Sequence, residues 1–134
     1  MLLVYHQLTT QLDLFPFNGA RFYKGWEKGL ECGINGILMS LAPLGFAFGV
    51  HGLMWFGVIY YFVRFAEEMR VWWMPYLLGS TAKWQEVYDR IHSRTIKVLP
   101  ALGKNPVHNL EHTILHSLTL VTAIVTLLAF NNQG

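Results

Sequence analysis

Between Glu31 and Arg64 the chain has no charged side chain, and Asn35 and His51 are the only strongly polar interruptions. A bilayer span needs about 20 apolar residues, so this stretch is too long for one helix and long enough for two. Pro43 and Gly45 fall near its middle. Proline breaks the helical hydrogen-bond ladder and glycine permits a tight turn, which predicts a helical hairpin. Its first arm is read over 20–43 and its second over 45–66, extending to about 74 before Pro75. A further uncharged stretch, Thr113 to Phe130, follows Asn105-Pro106, a pairing suited to an N-cap and first helical position. It predicts a third span over 106–130. The expected fold is all-α: one membrane domain, 1–134, with three transmembrane helices (a hairpin plus one) and interfacial amphipathic helices.

Composition supports this reading. Hydrophobic residues make up 53% and charged residues 13%, against roughly 25% charged in soluble domains. One cysteine excludes an intrachain disulfide framework or a Cys-rich zinc module. A net charge of +2 with intermixed signs gives no nucleic-acid footprint. With the N-terminus and the loop 64–104 on the cytoplasmic side, all ten Lys and Arg residues lie inside. The outside then receives the hairpin turn and the uncharged C-terminus, the orientation favoured by the positive-inside rule.

Residues 1–19 lack a basic n-region and a cleavage site, and are read as an interfacial segment. The inner loop, 72–104, opens with Trp72-Trp73-Met74-Pro75-Tyr76, an aromatic cluster suited to headgroup depth. Over 81–98, Trp84, Val87, Tyr88, Ile91 and Val98 recur at helical spacing among basic residues. Such a helix is expected either on an anionic lipid surface or against a protein neighbour.

Small residues predict where helices meet. Gly25, Gly29, Gly33, Gly36 and Ser40 share a sector of about 80° on the first arm, and Gly45, Gly49 and Gly52 form a second stripe. Small-xxx-small faces admit a neighbouring helix at close range. They are expected to line the inside of the hairpin or an oligomer contact. Cys32 reads as a small core residue.

The third arm has the most distinctive chemistry. His108, His112 and His116 recur every four residues and stack on one face, continued by Thr119, Ala123 and Thr126. Polar groups inside a span face protein rather than lipid. Imidazoles at i and i+4 can ligate one divalent transition metal. The expected ligand set is His108, His112 and His116 with Glu111 or Glu68, and His92 and Asp89 at a similar depth. His108 to His112 also matches the H-x-x-E-H pattern of inverted zinc proteases. No acidic residue follows His112 to complete that site, so the match is set aside. The H-x-x-x-H pairs superficially resemble membrane di-iron hydroxylases and desaturases, which use more histidines than the six present here. His51, with Ala47 one turn earlier, resembles the A-x-x-x-H of light-harvesting polypeptides, which would imply a haem or chlorophyll-type ligand.

Two functions remain open. The preferred one is a non-catalytic accessory or structural subunit of a homo-oligomer or larger membrane-protein complex. The alternative is a histidine-ligated metal- or pigment-binding membrane protein with redox or oxygenase-type chemistry at the inner face.

Overall fold

The computed structural model describes residues 1–133. Its helices are α1 (Leu2–Gln11), α2 (Gly25–Phe48), α3 (His51–Glu68), α4 (Met74–Leu78), α5 (Ala82–Ile91) and α6 (Leu110–Asn131). A 3-10 turn, Ala20–Phe22, precedes α2, and a π-helical segment, Met69–Trp73, joins α3 to α4. Helices α2, α3 and α6 form the body, with α3 in contact with both others and α1 lying against α2 and α6. Among the described residues there is no named strand, and one antiparallel bridge pairs Lys97 with Asn109.

The hairpin turns later than expected. Helix α2 runs through Pro43 and ends at Phe48, with Gly49 in the left-handed region at φ 68°. Proline leaves the carbonyl four residues back without its amide donor. Here that carbonyl, Met39 O, accepts a hydrogen bond from the Tyr61 hydroxyl of α3 at 3.0 Å. A tyrosine on the facing helix thus replaces the missing bond, and the helix continues. Its end comes at Gly49, where the positive φ suits a residue without Cβ. The amide of Val50 closes the turn on the Gly45 carbonyl at 2.9 Å.

This shift changes the count of spans. Two helices, Gly25–Phe48 and Leu110–Asn131, are long and apolar enough to cross a membrane, not three. Residues 43–48 belong to α2, so the 18 residues left to α3 include Arg64, Glu67 and Glu68.

Three other boundaries move for identifiable reasons. Helix α6 begins at Leu110 rather than at Pro106, because the preceding backbone is engaged elsewhere. The Val107 amide donates to the Tyr88 hydroxyl at 2.9 Å, and the His108 carbonyl accepts from Val98 N at 3.1 Å. Helix α5 ends at Ile91 rather than Val98, and Ile96 N instead donates to Pro16 O at 2.9 Å. The N-terminal segment, read as interfacial, packs against the body. Tyr5 Oη donates to Glu111 O at 2.8 Å and Gln7 Nε2 to Cys32 O at 2.9 Å, which ties α1 to α6 and α2.

The closest helix contact lies at Gly57 of α3. A Cβ there would stand 2.4 Å from Ala42 Cβ and 3.6 Å from Thr126 Cγ2, so α2, α3 and α6 converge on it. Gly45 is similarly crowded, by Leu53 and Met54. The expected stripe fares differently. A Cβ at Gly25, Gly29, Gly33 or Gly52 meets nothing within 4 Å, and Gly36 faces only the Gln7 side chain. The inside of the hairpin is therefore built on Ala42, Gly45 and Gly57, while Gly25, Gly29 and Gly33 face outward.

Candidate metal centre

Trp72 organises the site. The π-helical segment adds a residue to the turn between α3 and α4, as π-bulges do near functional sites, and carries Trp72 inward to 5% exposure. Four imidazoles surround its ring. Centroid separations are 4.1 Å to His112, 5.0 Å to His92, 5.5 Å to His108 and 6.2 Å to His116. These histidines come from two neighbouring segments of the chain. His92 follows α5, His108 lies in the loop before α6, and His112 and His116 occupy its first two turns.

Two helix ends deliver them. Helix α5 is anchored to the start of α2 by Arg90, whose Nη2 lies 2.7 Å from Glu27 Oε1 and whose Nη1 lies 3.0 Å from Glu27 Oε2. This bidentate pair, with Tyr88 and Ile91 buried, seats the end of α5 against its own chain and brings His92 into the interior. Asn109 supplies the second anchor. It is fully buried, and its Nδ2 donates to Thr95 Oγ1 at 2.9 Å. Its Oδ1 accepts from the His112 amide at 3.0 Å, capping α6, and stands 2.9 Å from His112 Nδ1. Because Oδ1 can only accept, the His112 proton belongs on Nδ1 and the Nε2 lone pair is free. An oriented imidazole of this kind is what a metal ligand requires.

One group of ligand atoms converges. Single donor atoms of His92, Glu111 and His112 all lie within 4.8 Å of one another. The rings of His92 and His112 have centroids 4.8 Å apart. Two imidazoles sharing a metal at about 2.1 Å from each nitrogen have centroids roughly 5 Å apart at a tetrahedral angle, so the spacing fits. The group faces a side-opening cavity of about 560 Å³ between α1, α2, the end of α3 and α5. Polar lining comes from His6, Glu31, Arg64 and Glu68, and apolar lining includes Trp26, Leu30 and Ile34.

The buried rings stay neutral. Burial pushes the His92 pKa down to about 3, helped by the nearby positive charges of Lys97 and Arg90. Burial also lowers His108, to about 4. Neutral imidazole is the ligating form. Several polar atoms of this region have no hydrogen-bond partner within the chain: His92 Nδ1, both ring nitrogens of His116, and Glu68 Oε2. Buried polar groups are nearly always satisfied, so such a concentration points to a ligand.

The structure brings part of the expected ligand set together. His112 and Glu111 join the convergent group, while His108, His116 and Glu68 lie beside it, outside that 4.8 Å set. Asp89 is exposed and turned away, accepting from Gln85 Nε2 at 3.0 Å. His51 stands apart. It is exposed at the start of α3 and its ring lies 5.0 Å from that of Phe130, near the end of α6 remote from His112 and His116. The reading along the chain did not anticipate His6, whose Nε2 lies 3.8 Å from Glu31 Oε2, nor the central place of Trp72. His6 lies within a short helix of little amphipathic character, so no spacing signals it. The aromatic neighbours of Trp72 in sequence suit headgroup depth, whereas its ring is buried among the histidines.

Comparisons with protein-family descriptions, with curated proteins and with solved structures found no match to this chain.

Proposed function

We propose that this is a membrane-embedded metalloprotein that binds one divalent transition-metal ion through His92, Glu111 and His112. The supporting observation is the convergence of three ligand atoms within 4.8 Å from two segments, the end of α5 and the first turn of α6. Two nitrogens and one carboxylate oxygen suit Zn²⁺ or Fe²⁺. Three protein ligands leave a coordination position open toward the cavity, where a bound ion would act as a Lewis acid or redox centre.

The membrane part of the reading rests on exposure. Only 17% of the apolar window of α2 and 22% of that of α6 is buried within the chain. The core helix of a soluble domain would be mostly covered. Ile34, Ile37, Val121, Ile124, Val125 and Leu128 instead point outward, an apolar surface of the kind that marks a membrane or protein contact.

The test is metal analysis of detergent-purified protein without a histidine tag. Stoichiometric zinc or iron, lost in the His92→Ala/His112→Ala double variant while helicity by circular dichroism is kept, is the expected result. Folded wild-type protein that stays metal-free after equilibration with Zn²⁺ or Fe²⁺ would overturn the reading. A second reading, the accessory subunit that docks through Gly25, Gly29 and Gly33, is favoured by the open space around that stripe. It is compatible with a metal centre on the opposite side of the helix.

A further inference from the structure

The cavity beside His92, Glu111 and His112 has two unlike sides. Its polar side is formed by those three residues with His6, Glu31 and Arg64. Its apolar wall is Trp26, Leu30 and Ile34 of α2, which are 64%, 50% and 53% exposed. These three recur every four positions, so they form one row along a single helix face, about 12 Å long at 1.5 Å per residue. Ile37, also exposed, carries the same row beyond the cavity.

The wall thus continues into the surface that α2 presents to its surroundings. Only 17% of the apolar window of α2 is buried within the chain. In a bilayer the row from Trp26 to Ile37 stands against acyl chains, and the cavity opens sideways into hydrocarbon rather than into water. A ligand that enters this way is amphipathic: its apolar part lies along α2 and its polar head reaches the histidines. The charges of the lining select the head. Five glutamates and two arginines line the cavity, a balance that opposes a carboxylate or phosphate. Four of the acids are also engaged already. Glu27 meets Arg90 at 2.7 Å, and Glu31 meets Asn35 Nδ2 at 2.7 Å and His6 Nε2 at 3.8 Å. Glu67 meets Arg64 at 3.3 Å, and Glu68 accepts from the Thr119 hydroxyl at 2.8 Å. A cationic head would have to take one of them from its partner. A hydroxyl needs no counter-charge and can both donate and accept.

We infer that the cavity binds a neutral single-chain lipid with a hydroxyl head, a long-chain alcohol, taken in sideways from the bilayer. The head lies toward His92, Glu111 and His112, and the chain lies along Trp26, Leu30 and Ile34. The inference rests on the membrane-embedded reading above and gives its site a substrate class, whether or not an ion is bound there. A volume of about 560 Å³ falls within the roughly 300–1,000 Å³ of small-molecule sites. The apolar wall is one row of side chains, which suits one hydrocarbon chain rather than two.

The probe is a long-chain alcohol carrying a diazirine next to its hydroxyl, photolysed with the full chain in phosphatidylcholine nanodiscs. Mass spectrometry reads the modified residues. Modification is expected at Val87 and Leu115, which line the cavity. It should be lost with excess hexadecanol and persist with palmitate or hexadecylammonium. Leu30→Trp, at a half-exposed position, should narrow the opening and reduce that modification while zinc content stays unchanged. Modification confined to the outward residues Ile37 and Val121 is that of surrounding lipid and would overturn the inference. Equal competition by either charged amphiphile would overturn it too. Modified Val87 and Leu115 in a chain that binds no zinc or iron would support the lipid site while the metal centre failed. A zinc-loaded chain with both residues unmodified would do the reverse. A chain that stays in solution without detergent would remove the membrane reading and the inference together.

Discussion

The two ends of the helical body are built on opposite principles. At one end, Gly57 admits Ala42 of α2 and Thr126 of α6 at van der Waals distance. The Tyr61 hydroxyl there satisfies the carbonyl that Pro43 leaves open. The bond that the proline removes is thus made good at that junction. At the other end, Trp72 sits among four histidines whose ring nitrogens are largely without partners. Shape is satisfied there and hydrogen bonding is not. An interior arranged only for stability would not gather buried imidazoles around a carboxylate, because each unpaired polar group costs free energy. The contrast marks the candidate site by its deficits, and it can be tested at each end separately.

Acid should produce the largest effect, and should act through the histidine end. His92 and His108 have pKa values of about 3 and about 4 in the folded chain, well below the ordinary imidazole value, because burial opposes their charging. The unfolded chain therefore binds protons first as pH falls. The part of the metal-free protein's stability carried by these two rings should be fully present above about pH 6.5 and lost progressively between pH 6.5 and 3, against an opposite contribution from Glu68, whose pKa burial raises to about 7. The loss should amount to several kcal/mol, since each pKa unit is worth about 1.4 kcal/mol. Thermal unfolding in detergent after chelation, followed from pH 7.5 to 4, reads it directly. The same series on His108→Gln isolates the ring's share: a pH profile identical to that of the wild type would mean that His108 is solvated rather than buried.

The packed end should break by overfilling. Gly57→Val places a Cβ that would stand 2.4 Å from Ala42 Cβ and 3.2 Å from Ala42 Cα. The Cα is backbone, so α2 must move as a unit. Overpacking of this kind costs about 1–3 kcal/mol. Gly52→Val, on the same helix with nothing within 4 Å, is the matched control and should cost far less. The compensating pair Gly57→Ala/Ala42→Gly should recover most of the stability lost in Gly57→Ala alone, a coupling that a double-mutant cycle measures. Equal effects of the two valine variants would remove Gly57 as the closest contact.

The two ends also differ in how far the sequence disclosed them. The uncharged stretches announced α2 and α6, because a long apolar run has few alternatives to a helix. The four-residue spacing placed His112 and His116 on one face without any knowledge of partners. What escaped was whatever depends on a tertiary contact. Pro43 looked like a turn because its lost hydrogen bond is a local fact, while its replacement by Tyr61 lies 22 residues away. The start of α6 was misplaced for a similar reason, since Tyr88 and Val98 hold the backbone ahead of it. The site divided likewise: His112 and Glu111 were legible on one helix, whereas His92 reached them through the Arg90–Glu27 pair. Glycines misled in the other direction, since spacing identifies a smooth face and says nothing of what it meets.

That last point gives the smallest effect on the isolated chain and a separate readout. A Cβ at Gly29 or Gly33 meets nothing within 4 Å, and both residues lie inside α2. Replacing a helix-interior glycine by leucine removes its backbone entropy penalty, worth about 0.5–1 kcal/mol. Gly29→Leu/Gly33→Leu should therefore leave the thermal midpoint of the monomer unchanged or slightly raised, and bound metal unaltered. If the stripe docks a second helix, the added bulk holds the two apart, and the oligomer measured by light scattering in detergent should dissociate. A monomer in both wild type and variant would remove the self-docking form of the accessory-subunit reading. A lowered midpoint with loss of helicity would place these glycines inside the fold, against the open surface on which they lie here. The same substitution pattern at Gly57 destabilises the chain, and so the two glycine faces are distinguished by whether the change appears in folding or in association.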